Sequence, residues 1–465
     1  MDRRGFLRAS AGAIAAAAAL DWEVALGAVD PRVAALRRTV RGPVLTPPNS
    51  AGLVVDMRYD AIRPLAVVQA LGEGDVSRTI LWARKNGVRL AARSGGHSYG
   101  GYSTTNGVVV DLRRLNGISV DMRSRTATVG AGALLFDVMT TLAARGVAIP
   151  HGSCPTVAVG GLALGGGVGF ASRAWGTTSD NVLALRVVTA DGRIRECGPK
   201  SNPGLYWACR GGGGGNFGVA TRFRFRVHPV SNVSWFVASW PWAQAEQIVA
   251  AWQASAPHAP DGLFSICSLS GTRHVQVFGQ FLGPESQLRT DLAPLQQVAG
   301  ISLRTGTSTY RDAQVRWAGC LGESTAACRT PRRSSFAAKS DYFDTPLPPA
   351  GVAALRRAME RPGAGSILLD SYGGALNRPA PDATAFVHRD ALFSAQYYAG
   401  GTSLHWLRAA HADMRPYASG FAYQNYIDPE LADWRHAYYG TNLARLEEIK
   451  KRFDPNRFFR FPQAI

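Results

Sequence analysis

Acidic residues are scarce in this chain. Asp and Glu number 33 against 51 Lys and Arg, a formal charge of +18 over 465 residues. Such an excess attracts anions, from nucleic acid to acidic substrates. A nucleic-acid face would carry a block of Lys and Arg with aromatics between them, and none stands out, so no nucleic-acid partner is expected. Residues 1–28 are neutral, Arg3, Arg4 and Arg8 being balanced by Asp2, Asp21 and Glu23, so the charge belongs to the remainder. Cysteine is sparse too: there are 6, none in a Cys-x-x-Cys pair, and no metal site is expected. No Gly-x-Gly-x-x-Gly opens a helix with an acid downstream, which removes the Rossmann dinucleotide fold. The apolar run Ala9–Leu20 is too short and too alanine-rich to span a membrane.

What the chain has in plenty is glycine, 51 residues of it, in clusters. Arg93-Ser94-Gly95-Gly96-His97-Ser98-Tyr99-Gly100-Gly101 follows an apolar run, Val88–Ala92, that reads as a buried strand. Adjacent glycines let backbone approach a ligand closely, and a histidine is presented right after them. A second cluster runs His151-Gly152-Ser153-Cys154-Pro155-Thr156-Val157, then Gly160-Gly161 and Gly165-Gly166-Gly167. A third is Gly211–Gly215 with Asn216-Phe217-Gly218; a strand pattern, Val219–Val227, follows at once, so it reads as a tight turn rather than a linker.

The length admits two domains. At the start, Arg3-Arg4-Gly5-Phe6-Leu7 before the alanine-rich run is a twin-arginine pattern, and residues 1–28 are expected to be an export signal. A β–α–β unit is predicted over 60–130: a strand at Pro64–Val68, a helix capped by Asp75 and running to Asn86, and strands at Val108–Leu112 and Ala127–Gly132. A helix from Leu134 to Arg145 leads into the Cys154 loop. From about Ser231 to Ser419 aromatics crowd and short strands recur at 263–269, 273–281 and 365–370, with helices at 243–255 and 349–360. This reads as an antiparallel sheet with helices on one face. Tyr423–Asp428 is predicted as a short strand, and Leu443, Leu446, Ile449 and Phe453 share one face of a final helix. Cys320 and Cys328 are close enough in sequence to pair, with Cys197 and Cys209 a second candidate pair and Cys267 a buried thiol.

The histidine and cysteine segments together resemble the berberine bridge enzyme-like branch of the vanillyl-alcohol-oxidase flavoproteins, over about Ala61 to Ile465. The resemblance implies an α+β, two-domain, PCMH-type FAD-binding fold. Residues 29–230 and 420–465 would form the FAD-binding domain, and residues 231–419 an antiparallel-sheet substrate domain covered by helices. It also implies FAD attached covalently at both His97 and Cys154. Arg93, Ser94, Gly95, Gly96, Ser98, Val157, Gly160, Gly161, Gly165, Gly214, Asn216, Gly218, Tyr423 and Asn425 would be further cofactor contacts.

In that family a tyrosine over the flavin acts as base, at a position matching Tyr426, with an acidic partner matching Asp370. A phenol with its ordinary pKa of about 10 is a poor base at neutral pH, and a nearby carboxylate raises it further. Asp370 therefore helps only by accepting a hydrogen bond and relaying the proton. Lys339 and Tyr372 are candidates for the substrate pocket. Val157, three residues after the cysteine, goes with oxidases in the family and points to molecular oxygen as acceptor. Ala158 stands where the family usually has glycine, which leaves dehydrogenase behaviour open. The expected activity is oxidation of an alcohol, foremost a sugar hydroxyl or hemiacetal, by an exported enzyme acting on a small molecule or oligosaccharide. The alternatives are tailoring of a secondary metabolite, or a non-catalytic secreted protein that binds a glycan or anionic polymer.

Overall fold

The computed structural model describes residues 30–401 and 404–465, so the twin-arginine segment lies outside the described residues. The fold is α+β. In chain order the strands are β1 (Val44–Leu45), β2 (Ala66–Gln69), β3 (Leu90–Arg93), β4 (Val108–Asp111), β5 (Ile118–Asp121), β6 (Thr126–Gly130), β7 (Val147–Ala148), β8 (Val182–Val188), β9 (Ile194–Cys197), β10 (Val219–Arg226) and β11 (His228–Pro229). They form sheets ordered β1-β2-β4-β3 and β5-β6-β10-β8-β9, plus the small pair β11-β7. β2 and β3 both pair in parallel with β4. Parallel strands need a crossover; the helix Glu73–Lys85 carries the chain from β2 to β3 on either side of β4, which is buried along its whole length as that arrangement demands.

Asp75 is not the cap of that helix. Gly72 is, and Asp75 sits inside the first turn, where its carboxylate accepts the N–H groups of Leu71, Arg41 and Gly42. It thus ties the incoming chain to the helix start.

Seven further strands follow: β12 (Asn232–Trp240), β13 (Leu263–Ser270), β14 (His274–Phe281), β15 (Ser302–Thr309), β16 (Phe336–Phe343), β17 (Ser366–Ser371) and β18 (Phe393–Gly400). They make one antiparallel sheet, ordered β15-β12-β14-β13-β17-β18-β16. Because successive side chains alternate across a strand, one face carries Leu263, Cys267, Leu269, Ile367, Leu369, Ala395 and Tyr397 into a core shared with the helices Ala245–Ser255, Pro349–Glu360 and His405–Met414. The opposite face carries Phe264, Ile266, Leu368, Asp370 and Gln396.

A separate core gathers side chains from Val33 to Val227, takes in Ala385, and resumes at Ala422, ending with Leu446, Phe453, Phe459 and Ile465. The sheet of seven is thus an insertion between two parts of one packed unit.

Two expectations are corrected. Tyr423–Asp428 is not a strand: Gln424–Tyr426 form a single 3-10 turn, closed by Tyr426 N–H on the Tyr423 carbonyl at 2.9 Å. The side-chain amides of Gln424 and Asn425 donate to the carbonyls of Gly211 and Leu162, which draws this segment onto the glycine loops instead of a sheet edge. Cys197 and Cys209 are both free thiols packed in the first core, whereas Cys320 and Cys328 are bridged.

Candidate functional site

A cavity of about 640 Å³ lies between the glycine loops and the open face of the large sheet. Its floor comes from the loop after β3, the Cys154 segment, the start of the helix Val159–Leu164, and Gly214, Gly215 and Gly218. Its roof is Phe264, Ile266, Leu368, Asp370 and Gln396, and Tyr423–Ile427 and Phe459–Pro462 close the sides.

The glycines fall into two kinds. A Cβ on Gly95 would lie 2.7 Å from the Ala158 nitrogen and 2.9 Å from the Thr156 carbonyl, so the histidine and cysteine loops press together only because that residue is glycine. Gly160 is likewise crowded, by Ser94 Oγ at 2.5 Å and the Ala131 carbonyl at 2.9 Å. Gly161 is different: it lines the cavity and a Cβ there would meet nothing within 4 Å. At Gly214 the nearest atom would be 3.9 Å away. Packing of the protein does not require glycine at these two positions, and their backbone lies open to the cavity.

His97 and Cys154 both line this cavity. His97 Nε2 lies 3.0 Å from the Thr156 hydroxyl, two residues beyond the cysteine. Burial pushes the imidazole down to about 4, so it is neutral at physiological pH. Cys154 is exposed to the cavity, yet the surrounding protein raises its thiol pKa by desolvation. Ser94, Ser98, Val157, Gly218, Tyr423 and Asn425 also line the space.

Three expected cofactor contacts stand behind the wall instead. Arg93 is buried in an ion pair with Asp111 at 2.9 Å, joining β3 to β4. Gly165 makes room for Asn425, whose Oδ1 would sit 2.1 Å from a Cβ there. Asn216 holds the glycine turn through the Gly212 carbonyl at 2.9 Å and accepts the Ile465 N–H at 3.0 Å.

Tyr426 and Asp370 line the same cavity. Tyr426 stacks on Tyr99, with ring centres 5.5 Å apart and planes 6° from parallel, and meets Tyr423 edge-on at 4.9 Å. The two flanking tyrosines are fixed by hydrogen bonds. Gln396 Nε2 donates to the Tyr99 hydroxyl at 3.0 Å, and the Gly167 N–H donates to the Tyr423 hydroxyl at 2.8 Å. Burial, then the charge of Asp370, raises the Tyr426 phenol well above its ordinary value, so it is a protonated hydroxyl in the resting protein. Burial pushes Asp370 up to about 7. A carboxyl that titrates near neutrality beside a phenol is suited to receiving a proton through it.

Lys339 and Tyr372 do not line the cavity. Alternation along β16 turns Lys339, with Ala337 and Phe343, to the helix-covered face, where its ammonium meets Asp428 at 2.8 Å and Glu430 at 3.0 Å. Tyr372 follows β17, and its hydroxyl lies 3.1 Å from that of Tyr342, in an aromatic cluster behind Tyr423 and Tyr426. Tyr99, Gln396 and the apolar roof residues carry no role in the sequence reading. The available signal is a polar residue on an inner strand: Ser394 and Gln396 interrupt the apolar run of β18.

Among the described residues no group of His, Cys, Asp and Glu could hold a metal, and no helix is long and apolar enough to cross a membrane. Residues 64–198 match the FAD binding domain family, and residues 422–465 match the berberine and berberine-like family. An uncharacterized FAD-linked oxidoreductase of Bacillus subtilis, YgaK, is 32% identical over 419 residues, covering 86% of this chain and 91% of its own. The structure of Physcomitrella patens BBE-like 1 superposes with a TM-score of 0.88 at 30% identity, over 93% of this chain and 98% of that one. A chitooligosaccharide oxidase does so with a TM-score of 0.85 at 26% identity, over 94% and 99%.

Proposed function

Because this chain belongs to the berberine bridge enzyme-like family of FAD-linked oxidoreductases, we propose that it oxidises an alcohol, foremost a sugar hydroxyl or hemiacetal, on FAD bound covalently at both His97 and Cys154. Molecular oxygen is the proposed acceptor and hydrogen peroxide the second product. The observation that carries this reading is that Tyr426 and Asp370 share one cavity with His97 and Cys154.

A flavin nucleotide fits the residues present. Gly161 and Gly214 leave backbone open to a flat or phosphorylated group, and a neutral imidazole and an exposed thiol stand at the same cavity. When bound, FAD supplies the two-electron acceptor that takes hydride from the alcohol carbon and returns the electrons to oxygen. The protein's part is the proton. Tyr426 receives a hydrogen bond from the substrate hydroxyl and hands its own proton toward Asp370 as the hydroxyl proton arrives. No free phenolate is needed, which suits a phenol whose pKa is raised. Gln396 holds Tyr99, and Tyr99 holds the plane of Tyr426.

The sugar reading draws on the likeness to a chitooligosaccharide oxidase. A second reading, a tailoring oxidase for an apolar natural product, draws on Phe170, Phe264, Ile266 and Leu368 around Asp370. A dehydrogenase with another acceptor draws on Ala158, whose methyl group stands beside Val157 at the cavity. Export by the twin-arginine route is proposed from Arg3 and Arg4, and the Cys320–Cys328 bridge suits an oxidising compartment.

The test is anaerobic. Purified protein is mixed with sugars, oligosaccharides and aromatic alcohols while the visible flavin band is followed. Bleaching by sugars, with recovery in air, is the expected outcome; bleaching by aromatic alcohols alone selects the tailoring reading. After denaturation the flavin should remain on the polypeptide, and its release would remove the covalent links.

A further inference from the structure

Lys339 and Ser340 are consecutive residues of β16 that point to opposite faces of the sheet. The Ser340 hydroxyl accepts the Tyr423 N–H at 2.9 Å. The Lys339 ammonium, 7% exposed, donates to Asp428 at 2.8 Å. One strand therefore grips both ends of the turn that carries Tyr426.

Asp428 is itself a node. Its N–H donates to the Tyr438 hydroxyl at 2.8 Å, its carbonyl accepts the Gln463 amide at 2.7 Å, and its carboxylate accepts the Glu430 N–H at 2.9 Å. Glu430 reaches Lys339 as well and shares Arg408 from the helix His405–Met414, whose hydrogen bond first of all holds the Glu430 carboxyl down to about 2. A buried ion pair is a poor source of net stability, since desolvation consumes most of its attraction. Its use is to fix geometry, and the geometry fixed here is that of a turn two residues from Tyr426.

We infer that Lys339 is a positioning residue: its ion pair with Asp428 holds the Gln424–Tyr426 turn so that the phenol faces the cavity. The inference rests on the reading of Tyr426 as the proton-transferring group. Lys339 does not line the cavity, so its effect on the reaction is transmitted through the turn that carries Tyr426.

The test compares wild-type holoenzyme with Lys339→Met, Lys339→Arg, and the pair Lys339→Met with Asp428→Asn, which removes the orphaned carboxylate should the single variant fold poorly. Without any substrate, amide hydrogen exchange in residues 419–431 should quicken about tenfold in the Met variants, with β4 (Val108–Asp111) unchanged. With the alcohol that bleaches the flavin, the reduction rate should fall about tenfold to a hundredfold at an unchanged half-saturating concentration. Arginine should restore both. The double variant should regain the wild-type melting temperature without regaining the rate. Unchanged exchange, or a rate that returns together with the melting temperature, overturns the inference. Tyr426→Phe run in parallel separates the two readings: wild-type bleaching there removes Tyr426 from the chemistry, while exchange in the Lys339 variants still reports whether the turn is held.

Discussion

The floor and the roof of the cavity are built by opposite means. On the floor the backbone itself is the surface. Gly95 and Gly160 let loops meet at distances no side chain allows, and Gly161 and Gly214 leave backbone bare toward the cavity. On the roof the backbone is remote, in the regular ladder of β13, β17 and β18, and every contact is a side chain chosen by alternation. Gly95 and Gly160 tolerate no side chain, whereas protein packing leaves room for one at Gly161 and Gly214. The roof can be rewritten residue by residue, because Phe264, Ile266 and Leu368 contribute nothing to the core behind them. Under the proposed function the floor would hold the cofactor and the roof would meet the substrate.

The sharpest way to probe this division is at the point where floor and roof meet. Tyr426→Phe should slow anaerobic flavin reduction by about 10²–10⁴ while the covalent flavin content, read from the denatured protein, stays at the wild-type level. A next comparison uses adjacent residues of β17. Leu369→Ala, on the helix side and fully buried, should cost about 2–5 kcal/mol of stability in a denaturant titration, with substrate preference unchanged. Leu368→Ala, on the cavity side, should do the reverse, shifting the half-saturating substrate concentration and leaving the denaturation midpoint in place. If both variants behaved alike, the division between the two faces would be lost.

Asp370 gives a smaller effect with a defined sign. Burial raises its carboxyl from 3.8 to about 7, so between those values the folded state holds a proton that the unfolded state has released. Stability from this group is greatest below the unfolded value and falls as pH rises through the window. Asp370→Asn should match wild type in melting temperature near pH 3 and exceed it by a few degrees near pH 8. The same substitution should abolish any limb of the reduction rate that rises through about pH 7, since the acceptor of the proton is gone.

The floor was largely legible in the sequence and the roof was not, for a physical reason. Close backbone approach has a local signature: Gly95-Gly96 before His97, and Gly160-Gly161 after Cys154, announce it without knowledge of any partner. Which way a strand residue points depends on where its neighbours lie. Lys339 is a pocket candidate because Lys339-Ser340-Asp341-Tyr342 matches a position of the family, and only its pairing opposite Tyr397, a core residue, sends it to the other face. Gln396, on that same neighbouring strand, reaches the cavity by the converse logic. The Tyr423–Asp428 stretch reads as a strand because Tyr423, Tyr426 and Ile427 are residue types that favour strands. It becomes a turn because Gln424 and Asn425 find carbonyl partners on loops more than 200 residues earlier in the chain.

That separation bears on the order in which the molecule is made. The floor's core draws on the chain to Val227, then only on Ala385 until it resumes at Ala422, with the seven-stranded unit synthesised in between. At ~5–20 residues per second a ribosome takes on the order of ten to forty seconds over that interval. Throughout it, the inserted unit already owns a contiguous core and can fold, while the glycine loops stand without Tyr426 or Phe459–Pro462 beside them. Tyr423–Ile427 and Phe459–Pro462, which close the sides of the cavity, are the last of its lining to be made.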